Sequence, residues 1–186
     1  MFDKIARSAL LILLLAFNLS LATAKDVVPL KTVDSVNLKR YAGEWHQIAL
    51  YPNRFQSQCL SDTTATYTLQ ANGDIEVKNR CRIAGGKTEE AIGAVKLLAG
   101  DTSGAKLKVR FAPAWLSWLP QVWGNYWVID LDADYQYAVV SEPERKLLWI
   151  LSRTPVMDAT KYSAILTRLT AMGFDTSKLL KQYSSS

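Results

Sequence analysis

Between residues 44 and 152 the chain reads as eight strand-length runs rich in Val, Ile, Thr and aromatic residues, separated by turn formers. The runs cover 44–51, 63–70, 74–82, 88–97, 106–112, 124–130, 135–141 and 147–152. Asn72-Gly73 reads as a two-residue hairpin turn between the second and third, and Gly85-Gly86, Gly100, Gly104 and Glu142-Pro143-Glu144 punctuate later junctions. Residues 158–172 then change to helical periodicity. Tyr162, Ile165, Leu166, Leu169 and Met172 fall on one face, and Gly173 stops the helix. This order predicts an all-β fold, an eight-stranded antiparallel up-and-down barrel with a C-terminal α-helix packed outside. Such a barrel has room for side chains and one small ligand. An outer-membrane barrel needs strands of about 9–11 residues with a continuous apolar outward band. Several runs here are shorter, and an amphipathic helix after the last strand fits that alternative poorly.

Residues 1–24 read as a secretory signal, with Lys4 and Arg7 before an apolar stretch at 10–17 and Ala22-Thr23-Ala24 as cleavage site. That stretch falls short of the roughly 20 residues a membrane span needs. The expectation is a single domain over residues 25–186, exported to an oxidising compartment. A bacterial periplasm fits best, with a eukaryotic secretory route as the alternative. Neither Cys lies near the cleavage site, so lipidation on an N-terminal Cys is not expected. The formal charge of +5 drops by one when the leader is removed, and the excess is spread along the chain. No basic cluster with interleaved aromatics marks a nucleic-acid surface. In an exported chain the pair Cys59 and Cys81 reads as a disulfide, contributing roughly 3 kcal/mol through loop entropy. The single His, His46, has no clustered partners, so a metal site is not expected.

Three short motifs punctuate this framework. Residues 36–41 form one helical turn, with Ser35 or Asn37 available as N-cap, and lead into Gly43-Glu44-Trp45. Asp132-Ala133-Asp134-Tyr135 occupies a later turn, and Leu151-Ser152-Arg153-Thr154-Pro155 ends the last run. In this order and at these separations the trio resembles the lipocalin family, in its bacterial lipocalin and apolipoprotein-D-like branch. The resemblance spans residues 36–174. It departs from the bacterial lipoprotein members in lacking the lipidation Cys. The middle motif, usually T-D-Y in the family, is spaced differently here, so its loop is expected to differ. Alternating strand direction places Trp45, Tyr135 and Arg153 at one end, where a guanidinium over the indole gains about 0.5–2 kcal/mol. The resemblance makes that constellation, with Gly43 and Asp134, a structural closure of the barrel bottom. The same parity puts Cys59 and Cys81 at the other end. The hairpin register about Asn72-Gly73 sets Cys81 opposite Thr64, so the bridge is expected to pin a loop at the open mouth.

Alternation also predicts the interior. Trp45 points inward and takes Gln47, Ala49 and Tyr51 with it. Matched to the family's strand pattern, the wall continues through Ala65 and Tyr67, Ile75 and Val77, then Ala91 and Val95. Leu107, Val109 and Phe111 follow, and Tyr126, Val128, Tyr137, Val139, Leu147 and Trp149 complete it. Lys78, Lys106, Lys108, Arg110 and Trp127 face outward. This apolar lining with a few phenols suits a hydrophobic molecule with one polar end, unless side chains fill the space. The loop from Phe111 to Trp123 carries Trp115, Leu116, Trp118 and Leu119, which are costly if merely exposed. Lid, membrane contact, dimer surface and ordinary packing are all open for it.

Catalytic signatures are sparse. There is no G-x-S-x-G, H-E-x-x-H or phosphate-binding Gly loop. His46 has the parity opposite to Trp45 and lies far from the cysteines. Glu89 and Glu90 are adjacent on one strand, so they point to opposite faces. Nothing in the pattern calls for a cofactor. The resemblance implies a non-enzymatic exported carrier of fatty acids, lysophospholipids or similar lipids, serving envelope lipid transport or storage, with the mouth loops gating exchange. Two alternatives remain: an enzyme acting on a lipid in the same cup, and a filled barrel serving as an interaction scaffold through its Trp-rich loop.

Overall fold

A computed structural model describes residues 28–71 and 74–182. The turn at 36–41 forms as a short helix, α1 (Leu38–Tyr41), whose first N–H groups are taken by the Asn37 carboxamide oxygen at 3.0 and 3.2 Å. Eight strands follow: β1 (Gly43–Leu50), β2 (Ser61–Leu69), β3 (Ile75–Arg82), β4 (Thr88–Leu97), β5 (Lys106–Arg110), β6 (Gly124–Leu131), β7 (Tyr137–Ser141) and β8 (Leu148–Ser152). Each pairs antiparallel with its sequence neighbour, and β8 and β2 both pair with β1, which closes the barrel. The fold class expected from the strand runs is therefore the observed one. α2 (Ala159–Ala171) packs outside, capped by Asp158, and Gly173 takes φ +86° just after it. A two-residue strand, β9 (Leu180–Lys181), was not foreseen. It pairs with Leu50 and Ala49 on the upper edge of β1, beyond the last β1–β2 pair at His46.

Two apolar clusters divide the protein. One lies inside the barrel, with Trp45, Tyr67, Val77, Val95, Leu107, Val128, Val140 and Leu151 among its members. The other lies between the barrel wall and α2, where Ile48, Val139, Leu148 and Ile150 meet Tyr162, Ile165, Leu169 and Phe174. The second cluster explains the departures from simple alternation. A register shift between Gln47 and Ala49 in the β1–β8 ladder turns Ala49 and Tyr51 out of the barrel and under α2. On β7 every residue from Tyr137 to Ser141 is buried, so its sequence carries no inside–outside signal. The inward face there is Ala138 and Val140, while Tyr137 and Val139 belong to the outer cluster. Tyr137 accepts a hydrogen bond from Arg168 of α2 at 2.9 Å and lies 3.3 Å from Asp130. It is a strut between wall and helix, not a cavity residue.

The β2–β3 hairpin also differs from expectation. Thr64 pairs with Arg80 rather than Cys81, and the Gln70 N–H donates to the Asp74 carbonyl. Gln70 and Asp74 thus stand opposite each other at the end of the described hairpin. Asn72 and Gly73 themselves lie outside the described residues. The Cys59–Cys81 disulfide is present and holds the loop after β1 against β3.

Candidate functional site

The barrel has a closed end and an open one, and the sequence determines which is which. At the closed end the extended segment before α1 crosses the floor. Its Val33 N–H donates to Val128 and its Val36 N–H to Ser103. Gly104 makes that crossing possible. Its φ is +73°, and a Cβ there would sit 2.6 Å from the Val36 carbonyl oxygen. Arg153 then locks α1 to the sheet. Its guanidinium lies 3.7 Å over the Trp45 ring and donates to the carbonyls of Glu44, Arg40, Ala42 and, through Nε, Tyr135. The carbonyls of Arg40 and Ala42 stand at the end of α1, where helical carbonyls have no intrahelical donor. Tyr135, at φ +60°, accepts the Asn37 N–H on its hydroxyl and carries the Arg40 guanidinium 4.1 Å above its ring. The altered middle motif is explained by Asp132, whose carboxylate accepts the N–H groups of Asp134 and Gln136, each at 3.1 Å. Asp134 itself is exposed.

Above that seal stand four aromatic residues in tilted and edge-to-face contact. Tyr41 lies 5.0 Å from Trp45 and 5.5 Å from Tyr67, and Tyr67 lies 6.0 Å from Tyr126. The Tyr67 hydroxyl donates to Tyr126 at 2.8 Å, and Tyr41 and Tyr126 share a 2.7 Å hydrogen bond. Burial pushes all three phenols above their ordinary range, well above it for Tyr41 and Tyr126. They stay protonated, so the floor is neutral and able to donate. Tyr41 was not foreseen as a floor residue, because it sits in α1 rather than on an alternating strand.

The structure places Ala65, Tyr67, Ile75, Val77, Val95, Val109, Tyr126, Val128 and Trp149 in the inner cluster or packed against it. Ala91 is exposed, on the upper half of the β3–β4 hairpin that rises past the rest of the wall. Phe111, 44% exposed, lies against Gly93, where a Cβ would meet its ring at 2.9 Å. Trp149 is held from the mouth side. Its indole N–H donates to Gln56, which donates to Gln47, and Gln47 in turn bonds Gln182 beyond β9. This amide chain links the first mouth loop to the C-terminal strand, and lone Gln residues gave no sign of it in the sequence.

At the open end, Trp115 and Trp118 are 73% and 75% exposed, while Leu116 and Leu119 are half-buried. The loop is nonetheless built: two short 3-10 turns shape it, and the Trp123 indole donates to the Ser117 carbonyl at 2.8 Å. Phe55 and Leu60 are exposed at the same end, so the rim is aromatic and aliphatic. His46 lies on the outer wall, 3.6 Å from Glu44. Glu89 and Glu90 are likewise exposed, one taking a hydrogen bond from Gln58 and the other pairing with Arg80.

A one-ended barrel sealed by Trp45 and Arg153 agrees with the comparisons to known proteins. A family model described as a lipocalin-like domain matches residues 36–184. The chain belongs to the lipocalin family. It is 40% identical over 153 residues to temperature-induced lipocalin-1 of Arabidopsis thaliana, covering 82% of this chain and 81% of that one. It is 36% identical to outer membrane lipoprotein Blc of Escherichia coli K12, covering 80% and 79%. Among solved structures it resembles insecticyanin of the tobacco hornworm Manduca sexta, with a TM-score of 0.66 at 23% identity, over 84% of this lipocalin and 85% of that chain. At that identity the likeness speaks for the fold alone.

Proposed function

We propose that this lipocalin is an exported carrier of a small hydrophobic molecule, a fatty acid, lysophospholipid or similar lipid, held in the barrel and exchanged through its open end. The observation that carries the reading is the polarity of the barrel. An apolar wall of Val, Ile and Ala stands on a floor of neutral, hydrogen-bonded phenols, and opposite it is an aromatic rim. A chain-like ligand would gain about 25 cal/mol for each Å² of apolar surface it buries. A polar end reaching the floor would meet the one phenol O–H that the Tyr41–Tyr126–Tyr67 bonds leave over, without a charge to desolvate. The inner polar groups are phenols kept protonated by burial, which favours binding over chemistry. Export is read from residues 1–24, which lie outside the described residues, with the periplasm as destination. The exposed Trp115 and Trp118 favour peripheral contact with a membrane surface during transfer.

Native mass spectrometry of gently purified protein, followed by solvent extraction, tests the proposal. The expected result is a stoichiometric lipid adduct displaced by added fatty acid or lysophospholipid and lost in Val95→Trp, which fills the barrel. A clean apo mass that takes up no lipid would overturn it in favour of a filled scaffold.

A further inference from the structure

The outer wall carries a second feature that a carrier with one internal site does not need. β4 pairs with β5 only from Ala94↔Arg110 to Leu97↔Leu107, although β4 continues to Thr88. Where β5 ends, the chain turns away and leaves a groove of about 420 Å³ on the outside of the barrel. Asp74 and Glu76 line one side, Ile92 and Ala94 the middle, and Arg110 and Pro113 the other side. Glu76, Ala94 and Arg110 form one cross-strand row. A carboxylate and a guanidinium thus stand two strand spacings apart, about 9–10 Å, with only a methyl group between them. Neither forms an ion pair among the described residues.

Arg110 is incompletely used. One Nη donates to the Ala112 carbonyl, but the buried Nε–H has no acceptor among the described residues. Such an orphan is uncommon, because an unsatisfied buried donor costs stability. Lys96 stands nearby, its Nζ 3.9 Å over the Trp123 ring that Arg110 also approaches at 5.2 Å. Lys96 pairs directly across from Lys108, an arrangement of like charges that is unfavourable unless an anion relieves it. The Nε itself is covered, but a phosphate is a fitting acceptor for the part of the guanidinium that lines the groove. A simple anion is opposed by Glu76 and Asp74 on the far side, whereas an ammonium group joined to the phosphate is favoured there. Exposed Ile92, Pro113 and Phe111 then lead from the charged row toward the Trp-bearing loop.

We propose that this groove binds a zwitterionic single-chain phospholipid outside the barrel, with phosphate at Arg110 and Lys96, ammonium toward Glu76, and the chain over Ile92 and Pro113. The site is separate from the barrel interior, so the two readings can fail independently. The test is titration of the full mature chain with monomeric lysophosphatidylcholine, read by native mass spectrometry and calorimetry. The wild type should take up two equivalents. Ala94→Leu, which fills the groove, should remove one, and Arg110→Leu should weaken the same one at least tenfold. Phosphocholine without an acyl chain should compete for that equivalent alone. Glu76→Lys should shift its preference toward lysophosphatidate, a change of selectivity that a folding defect would not produce. It also keeps the test alive if Ala94→Leu does not fold. A single equivalent that survives Ala94→Leu and Arg110→Leu but is lost in Val95→Trp would overturn the outer site and leave the carrier reading standing. A single equivalent with the reverse pattern would support the outer site and sink the carrier reading. No uptake at all would overturn both.

Discussion

Three phenols at the barrel floor tie the site to the stability of the protein. Tyr41, Tyr67 and Tyr126 are held above the ordinary phenol range chiefly by burial, and also by phenolate charge nearby, that of Tyr67 for Tyr41 and those of Tyr41 and Tyr67 for Tyr126. An acid whose folded pKa exceeds its unfolded one binds more protons when folded in the interval between them, so stability falls as pH rises there. Their contribution is therefore complete below about pH 10, the unfolded phenol value, and lost as pH climbs toward the folded values. Spectrophotometric titration at alkaline pH should show exposed tyrosines ionising first, with these three silent until the barrel unfolds. Smooth ionisation of all the phenols without loss of tertiary structure would contradict the buried, bonded floor. Tyr126→Phe sharpens the experiment. It removes the central hydroxyl, strands those of Tyr41 and Tyr67, and should cost about 1–3 kcal/mol in denaturant unfolding.

Among the elements, the first mouth loop, residues 51–60, is the one held by covalent means. The Cys59–Cys81 bridge fixes its far end to β3, while the Gln56–Trp149 bond fixes its middle to the inner wall. Reducing the bridge, or making the double replacement of both Cys by Ser, should lower stability by about 2–4 kcal/mol through loop entropy. Limited proteolysis should then cut first within 51–60; cleavage elsewhere would show that the loop does not depend on the bridge. The bridge and most strand boundaries were legible in the sequence, because an even cysteine pair and period-two alternation are local signals. What failed did so where the signal was absent or cancelled. β7 is buried on both faces, so alternation could not tell Tyr137 from Ala138. The register shift at Gln47 and Ala49 reverses parity without any Gly or Pro to announce it. The Asn-Gly pair suggested a register with Cys81 opposite Thr64, yet Val77 pairs with Tyr67, both inward, and Thr64 with Arg80. β9 is too short to carry any periodicity, and the amide chain through Gln47, Gln56 and Gln182 joins residues far apart in sequence.

At the scale of the whole molecule, the two ends of the barrel divide the work of folding and exchange. The Arg153 seal satisfies backbone groups at one end, so flexibility has to be accommodated at the other, where Phe55, Leu60, Trp115 and Trp118 stand exposed. Two Trp side chains more than 70% exposed on a loop tied by the Trp123–Ser117 bond are not an unfolded segment. They are an ordered apolar projection, and indole rings partition favourably to a membrane interface. The outer wall below them carries Lys96, Lys106, Lys108 and Arg110, which would add attraction to an anionic surface. The Trp115→Ser/Trp118→Ser double variant should therefore lose most of its binding to sedimented vesicles while keeping its melting temperature and its internal lipid. Added salt should weaken what the wild type retains on anionic vesicles more than on neutral ones, because only the lysine and arginine contribution is screened. If the double variant binds vesicles as the wild type does, the loop is not the membrane contact. If it instead loses internal lipid with vesicle binding intact, the two indoles serve as a lid over the barrel.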